Sequence, residues 1–247
     1  MRNVLNSTLV VLIPVAVFFA VRRIGLTGGG GLLIIFITCA VMCVWAAKQE
    51  GRAGRLKLQN GAASFGFLPA ERDDVQLSIY PLRGDGWVEG AASGELRGLQ
   101  TWIFDYFIPE RGRSGVEQTV VAFDVEDANL PIFQIRPLGL GTCIGDGYGD
   151  NGETICFPDA PQFQGRFELI SSAEEGVRRH FNAKLLDAIA ALNDCNCVVQ
   201  GFHSSVLFFT PNRTLRPAQY EAFARKSADV AYALFSSEKS VMAAAAK

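Results

Sequence analysis

The chain has 247 residues, of which 49% are hydrophobic and 19% charged, with 23 basic and 25 acidic side chains. The first 47 residues hold three of the basic side chains and no acid, so the remainder carries 20 basic against 25 acidic residues. This acidic balance argues against the basic surface by which nucleic-acid-binding domains are recognised, and no nucleic-acid partner is expected.

Two uncharged segments lie near the N-terminus, at residues 4–21 and 32–47. A helix needs about 20 apolar residues to cross a membrane. The first segment offers 18 residues, and the second reaches 24 when it is extended back to Ile24. We therefore predict two transmembrane helices, at about 4–21 and 25–47, that form a hairpin in the lipid bilayer. A cleaved signal peptide is the alternative, but AVFFAVRR offers no small-residue cleavage site.

The basic residues beside these segments predict an orientation, because Lys and Arg accumulate on the cytoplasmic side. Residues 48–61 are polar and basic, as suits a juxtamembrane connector. The turn between the two helices carries Arg22 and Arg23, whereas the side shared by the N-terminus and the domain carries five cations: Arg2, Lys48, Arg52, Arg55 and Lys57. We expect an inner-membrane protein with its bulk domain in the cytoplasm.

Residues 62–137 have the alternating pattern of β-strands. TWIFDYFI would place Trp102, Phe104, Tyr106 and Ile108 on one face of a strand. EQTVVAFDVE would similarly align Val121, Phe123 and Val125, and PIFQIRP would turn Phe133 and Ile135 inward. The segment ERGRSG is predicted to be a hairpin loop, so this part is expected to form an antiparallel sheet.

The pattern changes after residue 137. Residues 138–162 are predicted to be a Gly/Asp/Pro-rich surface loop, residues 163–237 an α/β part and residues 238–247 a tail. Ser172 and Glu175 suggest a capping box for a helix near 173–193. CVVQGF and SVLFFT suggest a hairpin, and Pro217 a final helix with an apolar face. The expected fold class is α+β: an N-terminal transmembrane helical hairpin, an antiparallel strand-rich half and a β-α-β-β-α C-terminal half.

No catalytic or cofactor-binding signature is present, and we predict no cofactor. His180 and His203 are the only histidines. Their spacing matches no zinc motif, and we interpret them as solvated or satisfied side chains. Asp105, within an aromatic strand, is expected to face solvent or to pair with an arginine such as Arg97 or Arg136, and a functional acid is the alternative.

The loop between Cys143 and Cys156 leaves several interpretations open. The cysteines could be structural or free thiols, or a disulfide if the domain is exported. The loop acids could instead join them in a metal site, although the calcium-binding EF-hand spacing is not met. The candidates for a metal site are Cys143, Cys156, Asp146, Asp150 and Glu153.

The segments FDYFIPE, EQTVVAF and LPIFQIRP resemble those of a family of uncharacterised bacterial two-helix membrane proteins. The resemblance covers about residues 62–137. It implies a cytoplasmic α+β domain on membrane helices, and it implies no catalytic residue.

Three functional hypotheses follow. The first is a non-catalytic interaction or regulatory domain tethered to the inner membrane, with a membrane-protein or soluble protein partner. The second is a membrane-bound hydrolase or redox enzyme that uses His180, His203 and the cysteines. The third is a metal-binding sensor at residues 143–156.

Overall fold

In the described part of the chain, nine strands form one sheet, and all their pairings are antiparallel. The computed structural model describes residues 29–78, 86–109, 115–125, 128–140, 152–192 and 196–245. The chain divides into two units, Met1–Gly54 and Arg55–Lys247, and the whole sheet belongs to the second.

The described strands are β1 (Leu68–Ala70), β2 (Trp87–Leu96), β3 (Leu99–Ile108), β4 (Val116–Asp124), β5 (Leu130–Pro137), β6 (Glu153–Thr154), β7 (Phe167–Ser171), β8 (Val198–His203) and β9 (Ser205–Phe209). The described helices are α1 (Gly29–Ala63), α2 (Arg72–Ser78), α3 (Pro161–Gln164), α4 (Glu174–His180), α5 (Ala183–Ala190) and α6 (Pro217–Ala245). The fold is therefore α+β with a large antiparallel sheet, as predicted.

The strand order is β1-β2-β3-β4-β9-β8-β5-β7-β6. The hairpin of β8 and β9 lies between β4 and β5, pairing with β4 through β9 and with β5 through β8. The two predicted halves thus share one sheet. Sequence order did not reveal this, because β4 and β5 are neighbours in the chain but not in the sheet.

The predicted alternation of side chains is confirmed on both faces of the sheet. Phe104 and Tyr106 are buried on one face, with Trp102 and Ile108 packed beside them and Val75 of α2 in the same cluster. The opposite face carries the larger core, which α1 and α3 to α6 cover. Its predicted members are all present: Val121, Phe123, Phe133 and Ile135 are buried, and Val125 packs against them.

The single helix predicted at 173–193 was wrong, because the chain breaks between α4 and α5. Phe181 is extended, and Asn182 caps α5 by accepting a hydrogen bond from the Leu185 N–H. The predicted capping box is also absent. The N-cap residue of α4 is Ala173, whose N–H donates to the Ser171 hydroxyl.

Residues 141–151 of the predicted surface loop at 138–162 lie outside the described residues. From residue 152 onward the loop contributes strand β6 and buried side chains, and Ile155, Phe157 and Ala160 belong to the core. The prediction overlooked these apolar residues because the surrounding Gly, Asp and Pro residues are typical of turns.

Helix α1 includes residues 48–61, the predicted connector, and buries Leu58 and Ala62 in the core. Helix α6 begins at Pro217 as predicted and continues into the segment predicted as a tail. The predicted membrane helix at 4–21 lies outside the described residues, and that at 25–47 overlaps α1 from Gly29 onward. Within the described part of the chain, no helix combines the length and the apolar character needed to span a membrane.

Candidate functional site: a buried carboxyl and a neighbouring cavity

A carboxyl group, Asp105, lies buried on the helix-covered face of the sheet, with 8% of the residue exposed. Strand alternation places it on the same face as Ile103, where an apolar residue would be expected. The predicted solvent exposure or arginine pairing of Asp105 was therefore wrong. Arg97 instead pairs with Asp229, and Arg136 pairs with Glu168.

Thr119 supplies the hydrogen bond that Asp105 requires. The two residues are direct partners across β3 and β4, and the Thr119 hydroxyl donates to Asp105 Oδ1 at 2.6 Å. The same hydroxyl accepts the Leu215 N–H at 2.9 Å. A single buried hydroxyl therefore connects the carboxyl to the segment that precedes α6.

Burial raises the pKa of Asp105 from its ordinary value of 3.8 to about 6. The hydrogen bond from Thr119 lowers this pKa, and the nearby Glu117 raises it. Smaller contributions come from Lys57, which lowers the pKa, and from Glu89, which raises it. Burial also raises the pKa of Glu117, with a contribution from Glu89. Asp105 consequently changes its charge near pH 6, which makes it a proton-responsive group within the core.

The sheet admits α1 closely beside this carboxyl because Gly90, the partner of Asp105 on β2, has no side chain. A Cβ atom at Gly90 would lie 2.9 Å from the Arg55 Cα. The pairing of β2 and β3 is irregular between Val88 and Gly90, and Arg55 Nε donates to the Glu89 carbonyl at 3.3 Å. A β-bulge of this kind is a common device next to functional sites.

Tyr220 of α6 lies against α1 at a second glycine. A Cβ atom at Gly61 would lie 2.8 Å from Tyr220 Cε2. Burial raises the pKa of Tyr220, and the negative charges of Asp105 and Glu117 raise it further. Its phenol therefore remains protonated across the range in which Asp105 titrates.

A cavity of about 240 Å³ lies between the segment that follows β9 and one side of α6. Apolar atoms come from Leu215, Ala218, Ala222 and Phe223, and the charged lining residues are Arg213 and Lys226. No acidic residue is part of this lining.

Thr119 also holds the wall of this cavity. Its N–H donates to the Arg213 carbonyl at 3.1 Å, while its hydroxyl accepts from Leu215. Asp105 and the cavity wall are therefore connected through one residue, and this connection defines the candidate site.

Replacing Thr119 by valine should destabilise the full chain by about 2 kcal/mol, because the Asp105 carboxyl and the Leu215 N–H would each lose a buried partner. It should also raise the pKa of Asp105 further, since the hydrogen bond lowers that pKa. Urea unfolding at several pH values measures both effects. Thr119→Ser keeps the hydroxyl and is the matched control, and equal losses in the two variants would contradict the proposed connection.

The structure does not bring His203 together with Cys197. His180 is on α4, and its Nδ1 lies 2.9 Å from the Gly176 carbonyl oxygen. His203 is exposed at the turn between β8 and β9, with a positive φ of 47°. Cys197 is buried just before β8, so the length of that strand separates it from His203.

The predicted metal and disulfide candidates fall largely outside the described residues, which exclude Cys143, Asp146 and Asp150. Glu153 is exposed in β6, and Cys156 is an exposed free cysteine. Among the described residues, no group of three or more His, Cys, Asp or Glu side chains could hold a metal ion.

The sequence analysis did not identify Thr119, Arg213 or Lys226 as site residues. The antiparallel register of the predicted hairpin could have placed Thr119 opposite Asp105. No local pattern connects the two cations, because they meet only where α6 packs beside the segment that follows β9.

Comparison with solved structures identifies a similar fold. The chain is similar to the mycobacterial trehalose monomycolate transport factor A, TtfA, with a TM-score of 0.52 and 18% sequence identity. The match covers 74% of this chain and 95% of the TtfA chain. No family model matches the sequence, and no curated protein matches it. At 18% sequence identity, this similarity shows the fold alone.

Proposed function

We propose that this chain is a non-catalytic accessory domain tethered to the inner membrane, and that it binds a partner protein in the transport of a lipid. Its fold supports the proposal, because the fold is similar to that of a protein described as a trehalose monomycolate transport factor. The match covers 95% of that protein's chain. In this proposal, segments 4–21 and 25–47 form the tether and the bulk domain is cytoplasmic.

Helix α1 supports the tether from another direction. Its residues 32–47 carry no charge, whereas Leu58 and Ala62 of the same helix are buried in the core of the second unit. One continuous helix thus has both an apolar segment and a segment that belongs to the folded domain. A helix of this kind suits a protein that acts at a membrane surface.

Depletion of the protein from its native cells tests the transport function. We expect a surface lipid to decrease while its precursor accumulates on the inner side of the membrane, as measured by lipid labelling and cell fractionation. The full chain should restore export, and a chain without residues 1–47 should not. If synthesis of the precursor itself stops, the enzyme hypothesis is favoured instead.

Thiol labelling tests the orientation. We expect exposed Cys156 to react with a membrane-impermeant maleimide only after the inner membrane is permeabilised, and without prior reduction. Buried Cys197 is the internal control and should react only after denaturation. Mass spectrometry of the labelled peptides separates the two sites. Labelling of Cys156 in intact cells would show that the domain is exported.

A further inference from the structure

We propose that the cavity beside α6 binds a small anionic amphiphile, namely a phosphate or carboxylate group attached to a short alkyl chain. This inference rests on the cavity itself and is independent of the transport proposal. Its first support is the charge of the lining, which contains Arg213 and Lys226 and no acid, although the chain as a whole is acidic.

The two cations reach the cavity from different elements. Arg213 belongs to the segment after β9, and Lys226 lies on the third turn of α6. Both residues are exposed, and the Arg213 side chain forms no ion pair with any described residue. A guanidinium group that is planar and uncompensated matches the oxygens of a phosphate or carboxylate.

Gln219 adds a fixed polar group to the same side of α6. Its Oε1 accepts the Arg216 N–H at 3.0 Å, which leaves the amide NH₂ group as a donor. A donor suits an anion, as do the two cations. All three groups therefore favour a negatively charged ligand.

The apolar part of the lining indicates that the ligand is more than an inorganic ion. Leu215 and Phe223 are buried residues whose atoms line the cavity, and Ala218 and Ala222 keep the helix surface low between them. At about 30 Å³ for each water-sized group, a volume of about 240 Å³ accommodates an anionic head and several methylene groups. Burial of these methylene groups against the apolar lining strengthens binding beyond what an inorganic anion gains.

The cavity wall is ordered before any ligand binds. The Arg213 carbonyl and the Leu215 N–H are both bonded to Thr119, which is itself buried and bonded to Asp105. A preformed wall lowers the entropy lost on binding. The position of Arg213 is thus set by the sheet and not by the ligand.

Titration of the full chain in zwitterionic nanodiscs with hexyl phosphate, followed by ³¹P NMR, tests the proposal. We expect saturable binding, with inorganic phosphate and hexanol each binding at least about tenfold more weakly because each lacks one half of the interaction. Arg213→Gln and Lys226→Gln should each weaken hexyl phosphate binding about fivefold. Arg225→Gln is the matched control, because Arg225 is an exposed cation of α6 paired with Glu221 and lies outside the cavity.

The anionic ligand is either the headgroup of a membrane lipid or a free metabolite, and nanodiscs that contain anionic lipid distinguish these two sources. If hexyl phosphate binds more weakly in these discs than in zwitterionic discs, and Arg213→Gln abolishes this difference, the occupant is a lipid headgroup. Unchanged binding would identify a free metabolite, and both results agree with the proposal. Equal binding of inorganic phosphate and hexyl phosphate, or equal binding by wild type and Arg213→Gln, would overturn it.

Discussion

Replacing Asp105 by asparagine should stabilise the full chain by about 3 kcal/mol at pH 8 and leave its stability nearly unchanged at pH 4. The pKa of Asp105 rises from 3.8 to about 6 on folding, so the folded state binds the proton more tightly than the unfolded state. The wild type therefore loses stability as the pH rises from 3.8 to 6, and the lost stability is not recovered above pH 6. Asparagine carries no charge and keeps an acceptor for Thr119.

Urea unfolding of the full chain at pH 4, 5, 6, 7 and 8 measures this difference. Asp229→Asn is the control, because Asp229 is an exposed acid paired with Arg97 and should change stability by less than about 0.5 kcal/mol. A stability difference between Asp105→Asn and wild type that is the same at every pH would show that Asp105 does not titrate between pH 4 and 6.

Such a pH response would matter for the cavity, because Thr119 connects Asp105 to its wall. Protonation removes a buried negative charge two hydrogen bonds from the Leu215 N–H. We expect Asp105→Asn to abolish any change in hexyl phosphate affinity between pH 5 and 7 that remains after correction for ligand ionisation.

Replacing Gly201 by alanine should destabilise the domain by about 2–3 kcal/mol. Gly201 of β8 lies directly opposite Phe133 of β5, and an added Cβ atom would overlap the Phe133 ring. That ring is 2% exposed and packs edge-to-face on Phe181 at 4.9 Å, so it has little room to move. The absence of a side chain at Gly201 is what allows the ring to lie across β8.

Thermal or urea unfolding measures the loss, and a second substitution identifies its cause. Adding Phe133→Leu to Gly201→Ala should recover part of the stability, because leucine removes the overlapping ring atoms. Gly176→Ala is the matched control: its nearest neighbour would lie 3.4 Å away, and alanine in a helix is favoured by up to about 1 kcal/mol. Additive losses in the double variant would refute steric overlap as the cause.

Local patterns determined much of the fold. The alternation in TWIFDYFI and EQTVVAFDVE correctly predicted two strands and their buried faces, since side chains alternate across any strand. Pro217 correctly predicted the start of α6, because proline needs no N–H donor at the first position of a helix. These features depend on neighbouring residues alone.

The tertiary structure decided the features that join distant parts of the chain. The position of the β8–β9 hairpin between β4 and β5 depends on long-range pairing, which no local pattern encodes. The apolar residues of segment 173–193 have helical spacing in the sequence, but the backbone is extended at Phe181 and the helix is broken there. Residues of α4 and of α5 are both buried in the core.

The sequence by itself determined the α+β class, the strand faces and an aspartate in an aromatic strand. Only the tertiary structure decided that Asp105 is buried against Thr119 and that Thr119 reaches Leu215, 96 residues away in the chain. It also decided that Arg213 and Lys226 line one cavity. The reason is physical: burial and charge pairing depend on which elements pack together, and that packing is a property of the whole chain.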